Sequence, residues 1–169
     1  MLFLPPYPLS RISSHKKIKH FVEIIPKDAY ILEIGPGGGG IRDYCLHNNF
    51  KHYVSIDIVP PADIVGNIHD WNHLGLQPAS FDFIIAFEVV EHVDCFKEIH
   101  DLLRPGGKAF LTSPVPHFDW FMKVLESLRL NQPRTSPHSN LVNLNAVPGF
   151  QHKHVKIIGG IAQWAVFTK

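Results

Sequence analysis

The sequence predicts an α/β fold: a Rossmann-like, doubly wound sheet of seven strands that is mostly parallel and ends in an antiparallel hairpin. Short apolar runs alternate with segments whose apolar residues recur at helical spacing, a pattern typical of this class. The run Phe81–Phe87 is almost continuously apolar, as expected for a strand covered on both faces of a parallel sheet. Gly159 and Gly160 separate the last two strand-like runs, which favours a hairpin.

Local signals bound each predicted element. Ser13 or Ser14 can cap a first helix, and Pro26 ends it. Glycines follow the first strand, and the turn 104–107 separates the third helix from the fifth strand. The predicted helices cover about 13–25, 41–48, 93–103 and 118–128, and the predicted strands cover about 30–34, 53–57, 63–66, 81–87, 108–112, 154–158 and 162–167.

Length and composition are those of one globular domain. The chain has 169 residues, of which 45% are hydrophobic and 18% charged, and this balance supports a real core. We expect a single domain built of three parts. These are an N-terminal arm and helix over 1–28, a cofactor-binding core over 29–113, and an acceptor-side loop, helix and hairpin over 114–169.

Three features bear on location. No apolar run reaches the roughly 20 residues that a membrane helix needs, so no membrane span is expected. Basic residues follow the apolar start, which is the reverse of a signal peptide. Cys45 and Cys95 lie far apart and form no CxxC pair, which favours a reducing compartment. We therefore expect a cytoplasmic protein.

Charge gives no argument for a nucleic-acid partner. The formal net charge is +1, and the sequence has no long basic stripe. The local basic cluster over 15–20 is interpreted as the solvated face of the first helix.

The turn after the first strand matches two ligand-binding patterns at once. Gly35, Gly37 and Gly40 fit the GxGxxG pattern of dinucleotide binding, and Asp57 lies 20 residues after Gly37, where a ribose-binding acid belongs. Glu33 places a negative charge at the strand end. Such a charge repels a pyrophosphate and suits a ligand that carries an ammonium group. An NAD-dependent oxidoreductase therefore stays open beside the interpretation that follows.

Four motifs, in the right order and spacing, resemble the class I S-adenosylmethionine-dependent methyltransferase family, and its small single-domain, type 11-like members in particular. They are LEIGPGGG over 32–39, SFDFII over 80–85, FEVVEHV over 87–93 and LLRPGG over 102–107. The resemblance covers roughly 31–113. It implies an enzyme that takes its methyl group from S-adenosylmethionine and releases S-adenosylhomocysteine.

The resemblance also implies which residues face the cofactor. Asp57 would bind the ribose hydroxyls, and Ile58 would pack on the adenine. Asn67 would accept from the adenine amino group where the family usually has an aspartate, and an amide oxygen can still accept that bond. The backbone of Ile68 would serve the ring edge. The full set is Glu33, Gly35, Gly37, Gly39, Asp57, Ile58, Asn67, Ile68, Phe87 and Glu88.

Methyl transfer by direct displacement needs alignment, exclusion of water and, for a hydroxyl or protonated amine acceptor, a base. His92 follows the predicted fourth strand, His117 follows the fifth, and His138 lies in the long irregular stretch 131–150. Because imidazole titrates near neutral pH, these three are the candidate bases. No spacing resembles a metal-binding motif, so no metal is expected.

The expected acceptor is a small molecule or a biosynthetic intermediate, such as a sugar, a lipid precursor or a quinone-like compound. A second function class also stays open: a non-catalytic module or scaffold that binds S-adenosylmethionine without turnover. Fold resemblance does not separate these, whereas ligand identity and turnover do.

Overall fold

The structure, a computed structural model, describes residues 7–116, 127–128 and 142–169. Its strands are β1 (Tyr30–Ile34), β2 (His52–Asp57), β3 (Ile64–Val65), β4 (Phe81–Phe87), β5 (Leu103–Pro114), β6 (His152–Ile158) and β7 (Ala162–Thr168). The helices of the described residues are α1 (Pro8–Lys17), α2 (Gly40–His47) and α3 (Phe96–Leu102). All seven strands form one sheet, in the order β3-β2-β1-β4-β5-β7-β6.

The sheet is parallel except at one position. β1 pairs in parallel with β2 on one side and with β4 on the other, and β3 and β5 extend the parallel part. β7 lies between β5 and β6 and runs antiparallel to both. The predicted seven-stranded, mostly parallel sheet with a C-terminal hairpin is confirmed. Because β7 inserts beside β5, β6 rather than the last strand forms the edge.

Helices cover both faces of the sheet, and this explains the continuous apolar runs. Neighbouring residues of a strand point to opposite faces. Leu32 therefore packs in one buried cluster with Ile99 of α3, whereas Ile31 packs in a second cluster with Phe21, which follows α1. All four side chains are at most 1% exposed, so each strand position needs an apolar residue.

The first helix begins earlier than predicted. It begins at Pro8 rather than at Ser13 or Ser14, with the extended residue Tyr7 before it. A proline at the first helical position has the right φ and loses no hydrogen bond there, so it starts a helix without a capping side chain. The helix then continues into a single π-helical turn, Ile18–Val22.

Two later boundaries also differ from the prediction. α3 begins at Phe96 rather than at 93, after the loop that follows β4. β5 begins at Leu103 because Leu103 pairs with Phe81 before a register shift, and regular pairing resumes between Phe83 and Lys108. The predicted turn 104–107 is therefore an irregularity inside the strand. The helix expected over 118–128 lies outside the described residues apart from 127–128.

Within 7–116, 127–128 and 142–169, no helix is long and apolar enough to span a membrane. Cys45 and Cys95 are both buried and free.

Candidate functional site

The order of the sheet reverses between β1 and β4, and this locates the candidate site. In open α/β sheets, ligands bind beyond the carboxyl ends of the strands at such a reversal. The glycine turn follows Ile34, and the loops after Asp57 and Phe87 open on the same edge because β1, β2 and β4 are parallel. The structure therefore brings together the predicted cofactor residues of three separate motifs.

The glycines of the turn are required for two different reasons. Gly35, Gly37 and Gly39 have φ values of +70°, +51° and +75°, and residues other than glycine rarely adopt such values. A Cβ on Gly35 would lie 2.6 Å from Cγ2 of Val89, so Gly35 lets the loop after β4 pack against the turn. A Cβ on Gly37 or Gly39 would meet no heavy atom within 4 Å. These two glycines border open space, which fits a ligand that approaches the backbone closely.

Glu33 lies buried beneath this turn. It is 4% exposed, and the Tyr53 hydroxyl donates to its Oε2. Burial raises the pKa of the Glu33 carboxyl to about 7; the Tyr53 hydrogen bond opposes this rise, and the negative charges of Asp63 and Asp57 add to it. The carboxyl is thus partly protonated at neutral pH. Its predicted contact with the ammonium group of a ligand stays a prediction.

The end of β2 presents an acid and an apolar side chain. Asp57 is partly exposed, and its Oδ1 accepts from the Val59 N–H at 3.4 Å. Ile58 is 71% exposed, an unusual position for a large apolar side chain that a flat ring would cover. Behind them, Arg42 of α2 pairs with Asp63 at 2.9 Å. Asp57 and Ile58 are thus accessible at the carboxyl end of β2, and their contacts with ribose and adenine stay predictions.

Asn67 and Ile68 follow β3. The Asn67 Oδ1 accepts from the His69 N–H at 3.1 Å and so caps the short 3-10 helix Ile68–Asp70. An amide oxygen has a second lone pair, so the predicted adenine contact is compatible with this cap. The Ile68 side chain is 5% exposed and belongs to the core, and its carbonyl accepts from the Trp71 N–H at 3.2 Å, so its predicted backbone contact with the ring edge stays a prediction.

Glu88 follows β4 with a φ of +56°, a strained value for a glutamate. Its backbone N–H donates to the Thr112 carbonyl at 2.9 Å. Its Oε1 accepts from Lys17 Nζ at 2.7 Å and from Thr112 Oγ1 at 2.8 Å. Burial by itself would raise the pKa of the Glu88 carboxyl, but Lys17 and the hydroxyl of Thr112 outweigh burial and lower it.

Lys17 is the functional candidate that the sequence interpretation missed. The basic cluster over 15–20 was interpreted as a solvated face, and for Lys17 this is wrong, because the residue is only 9% exposed. Its ammonium also lies 5.5 Å from the centre of the Phe87 ring. The side chain therefore joins the N-terminal helix to the carboxyl end of β4. The signal in the sequence was its position one turn before the buried residues Phe21 and Val22.

Of the three candidate bases, the described residues include His92 alone. It is half-buried in the loop after β4, and its backbone N–H donates to the Val89 carbonyl at 2.8 Å. His117 and His138 lie outside the described residues, so their roles stay predictions. Within the part of the chain that the structure describes, no group of three or more His, Cys, Asp or Glu side chains could hold a metal ion.

Comparison with known sequences relates the chain to methyltransferases. Residues 10–158 match a family described as a methyltransferase domain. The ubiquinone biosynthesis O-methyltransferase of Xylella fastidiosa strain M23 is 32% identical over 103 residues, which cover 50% of this chain and 42% of that protein. The protein of the same name from strain 9a5c is 31% identical over the same length. The chain thus spans less than half the length of these curated relatives.

Comparison with solved structures gives the same fold. A SAM dependent methyltransferase from Archaeoglobus fulgidus superposes with a TM-score of 0.67 at 11% identity, covering 94% of this chain and 93% of that one. Phosphoethanolamine N-methyltransferase 2 of Haemonchus contortus, in complex with S-adenosyl-L-methionine, gives 0.61 at 16% identity and covers 98% of this chain and 54% of that one. With the fold shared and residues 10–158 matched, the chain belongs to the methyltransferase domain family that its motifs predicted.

Proposed function

We propose that this chain is an S-adenosylmethionine-dependent methyltransferase that transfers a methyl group by direct displacement to a small-molecule or biosynthetic-intermediate acceptor. The observation that carries the proposal is the open cradle of Gly37 and Gly39 beside Asp57 at the reversal of the sheet. The family match supports the same activity. A cytoplasmic location is also proposed, and the two buried free cysteines support it.

The residues present fit such a donor. The backbone of Gly37 and Gly39 would border its methionine part, since no side chain fills the space there. Asp57 would accept from the ribose hydroxyls, and the exposed Ile58 would cover one face of the adenine. When bound, the donor supplies a methyl group already activated on a sulfonium sulfur. The chain then has to orient the acceptor, exclude water and take up any proton that the acceptor loses.

The acceptor is proposed to be a small molecule or a biosynthetic intermediate rather than a nucleic acid. The net charge of +1 provides no electrostatic attraction for a phosphate backbone. The curated relatives are named as O-methyltransferases of ubiquinone biosynthesis, which supports an oxygen atom of a biosynthetic intermediate as the methylated group.

The test of the cofactor is a calorimetric titration of the purified protein with S-adenosylmethionine, S-adenosylhomocysteine and NAD in parallel. The proposal expects binding of the first two and not of the third. Binding of NAD alone would move the protein to the oxidoreductases. Binding of the donor without release of S-adenosylhomocysteine in the presence of any acceptor would instead favour a non-catalytic module.

Replacing Asp57 tests the position of the donor. We expect Asp57→Ala to weaken donor binding by about 1–3 kcal/mol, roughly 5- to 150-fold, because the ribose hydroxyls lose a charged acceptor. Asp28→Ala removes an exposed aspartate before β1 and serves as the control. A folded Asp57→Ala variant with the donor affinity of the parent would contradict the assigned pose.

Replacing the histidines tests the base. If a histidine is the base, His92→Gln or His138→Gln lowers kcat by about 100-fold or more while donor affinity stays that of the parent. The readout is release of S-adenosylhomocysteine at saturating donor. His154→Gln, on the exposed face of β6, is the control. If neither variant loses turnover, the proton is taken up by another group.

A further inference from the structure

The two carboxylate oxygens of Glu88 have different surroundings. Oε1 accepts from Lys17 Nζ at 2.7 Å and from Thr112 Oγ1 at 2.8 Å. The other oxygen, Oε2, takes part in neither of these two bonds, and 42% of the side chain is exposed. One oxygen is therefore fixed by two donors, and the other is left for a further hydrogen bond.

Glu91 lies three residues further along the chain and is 1% exposed. Among the described residues no donor reaches either of its carboxylate oxygens, and the side chain that it faces for a hydrogen bond is that of Glu88, an acceptor. A buried carboxylate without donors is costly, whereas a protonated carboxyl is not, and two carboxyl groups that face each other keep one charge between them. The charged groups that face Glu91 within the described residues are Glu88 and Lys17. The proton of this pair therefore belongs to Glu91, and the charge belongs to Glu88.

The pKa values agree with this division. Burial first, and then the negative charge of Glu88, raise the pKa of the Glu91 carboxyl to about 9. Lys17 and Thr112 outweigh burial at Glu88 and lower the pKa of its carboxyl. At neutral pH the pair thus holds a single negative charge.

We propose that Glu88 takes up the proton of the methyl acceptor through Oε2. Lys17 and Glu91 are positioning residues that keep Glu88 ionised and fixed in place. The acceptor is therefore a neutral hydroxyl compound. This inference rests on the proposed methyltransferase activity. The fixed negative charge repels an acceptor with a phosphate or carboxylate beside the reacting atom, and it accepts a hydrogen bond from a neutral hydroxyl.

The proton balance of the step is complete. The acceptor oxygen forms a bond to the methyl carbon while the carbon–sulfur bond breaks, and the electron pair of that bond goes to sulfur. The hydroxyl proton passes to Glu88 Oε2, which later releases it to water. A carboxylate of low pKa suffices, because the hydroxyl becomes strongly acidic as its oxygen is alkylated.

The first experiment needs no acceptor. The protein is labelled with 13C at the glutamate carboxyl groups, and each signal is followed by NMR as a function of pH, with E88Q and E91Q for assignment. We expect Glu91 to be protonated and Glu88 ionised at pH 7, and K17M to move the Glu88 midpoint to higher pH. K16M, which removes an exposed lysine of the same helix, should leave that midpoint in place. An ionised Glu91 at pH 7, or no movement in K17M, would overturn the inference.

The second experiment measures turnover. Neutral catechols and phenols are compared with analogues that carry a carboxylate or phosphate beside the hydroxyl, at saturating S-adenosylmethionine. We expect methylation of neutral compounds and a loss of about 100-fold or more in kcat for E88Q at saturating donor. We also expect E91L to lose at least tenfold more turnover than E91Q, since glutamine keeps a hydrogen-bond donor.

The outcomes separate this inference from the proposed function. A parent protein that does not bind S-adenosylmethionine would refute both. A parent that binds the donor but methylates only anionic acceptors, or none of the neutral ones, would refute the inference alone. The same holds if E88Q keeps the turnover of the parent, or if E88Q loses donor affinity rather than turnover, because Glu88 would then serve the cofactor.

Discussion

Gly37→Val is expected to remove donor binding while the protein still folds. The Cβ at Gly37 would meet no protein atom within 4 Å, so the valine side chain would occupy the space in which the donor approaches the backbone. Overlap of this kind costs about 1–3 kcal/mol or more, and the φ of +51° adds strain that a bound ligand could no longer offset. We therefore expect the affinity for S-adenosylmethionine to fall by roughly 100-fold or more, measured by calorimetry.

The matched control for this substitution is Gly106→Val. Gly106 has a φ of +78° and likewise has no heavy atom within 4 Å of a Cβ, but it lies toward the amino end of the sheet. Its N–H bond to the Lys169 carbonyl, 2.9 Å long, is unaffected by a side chain. Gly106→Val should thus lose a similar amount of stability and keep the donor affinity. Equal loss of donor binding in both variants would mean that backbone strain, and not the cradle, is responsible.

The architecture followed from local patterns because the central strands β1 and β4 are largely buried on both faces. Phe81–Phe87 and Tyr30–Ile34 were predicted with the bounds that the structure has, since an apolar run between polar or glycine residues has few other solutions. The start of β5 was missed for the opposite reason. Pairing of Leu103 with Phe81 is a contact between distant segments, and the glycines after it indicated a turn.

The position of a candidate residue could be predicted where the residue follows a strand end. It could not be predicted where it depends on a partner distant in the sequence. The glycine turn and Asp57 follow strand ends, so their edge of the sheet could be predicted from alternation alone. The partnership of Lys17 with Glu88 joins residues 71 apart in sequence, and a lysine among other basic residues is usually solvated. Only the packing of the π-helical turn against the sheet brings that ammonium to β4.

The charge of Glu33 discriminates between the two ligand classes less strongly than its sequence position indicates. Its negative charge was the first reason to prefer a ligand with an ammonium group over a pyrophosphate. In the structure the carboxyl is buried against Tyr53 and has a pKa of about 7, so at neutral pH its charge is partial. The family match over 10–158, rather than the charge of Glu33, therefore decides against the nicotinamide interpretation.

The same burial predicts that Glu33→Gln makes the ligand-free protein more stable at alkaline pH. The pKa of the carboxyl rises from 4.5 to about 7 on folding. Below pH 4.5 the carboxyl is neutral in both the folded and the unfolded chain, so glutamine and glutamate differ little. As pH rises from 4.5 to about 7, the parent loses stability because the unfolded chain releases this proton while the buried carboxyl keeps it, and above 7 the loss is complete. A pKa difference of one corresponds to about 1.4 kcal/mol. By pH 8 the free energy of unfolding of the variant should therefore exceed that of the parent by about 3 kcal/mol.

Urea unfolding of the parent and of Glu33→Gln at pH 4.5, 6, 7 and 8 measures this difference in the free energy of unfolding. Comparing the two proteins at each pH cancels the contribution of Glu91, whose buried carboxyl is present in both. Glu23→Gln, which replaces an exposed glutamate, should give a difference that does not change with pH. A gain for Glu33→Gln that is already complete at pH 4.5 would mean that the amide packs better than the acid. A loss that grows with pH would mean that Glu33 is held as a carboxylate by donors stronger than the Tyr53 hydroxyl, as its predicted service to an ammonium group requires.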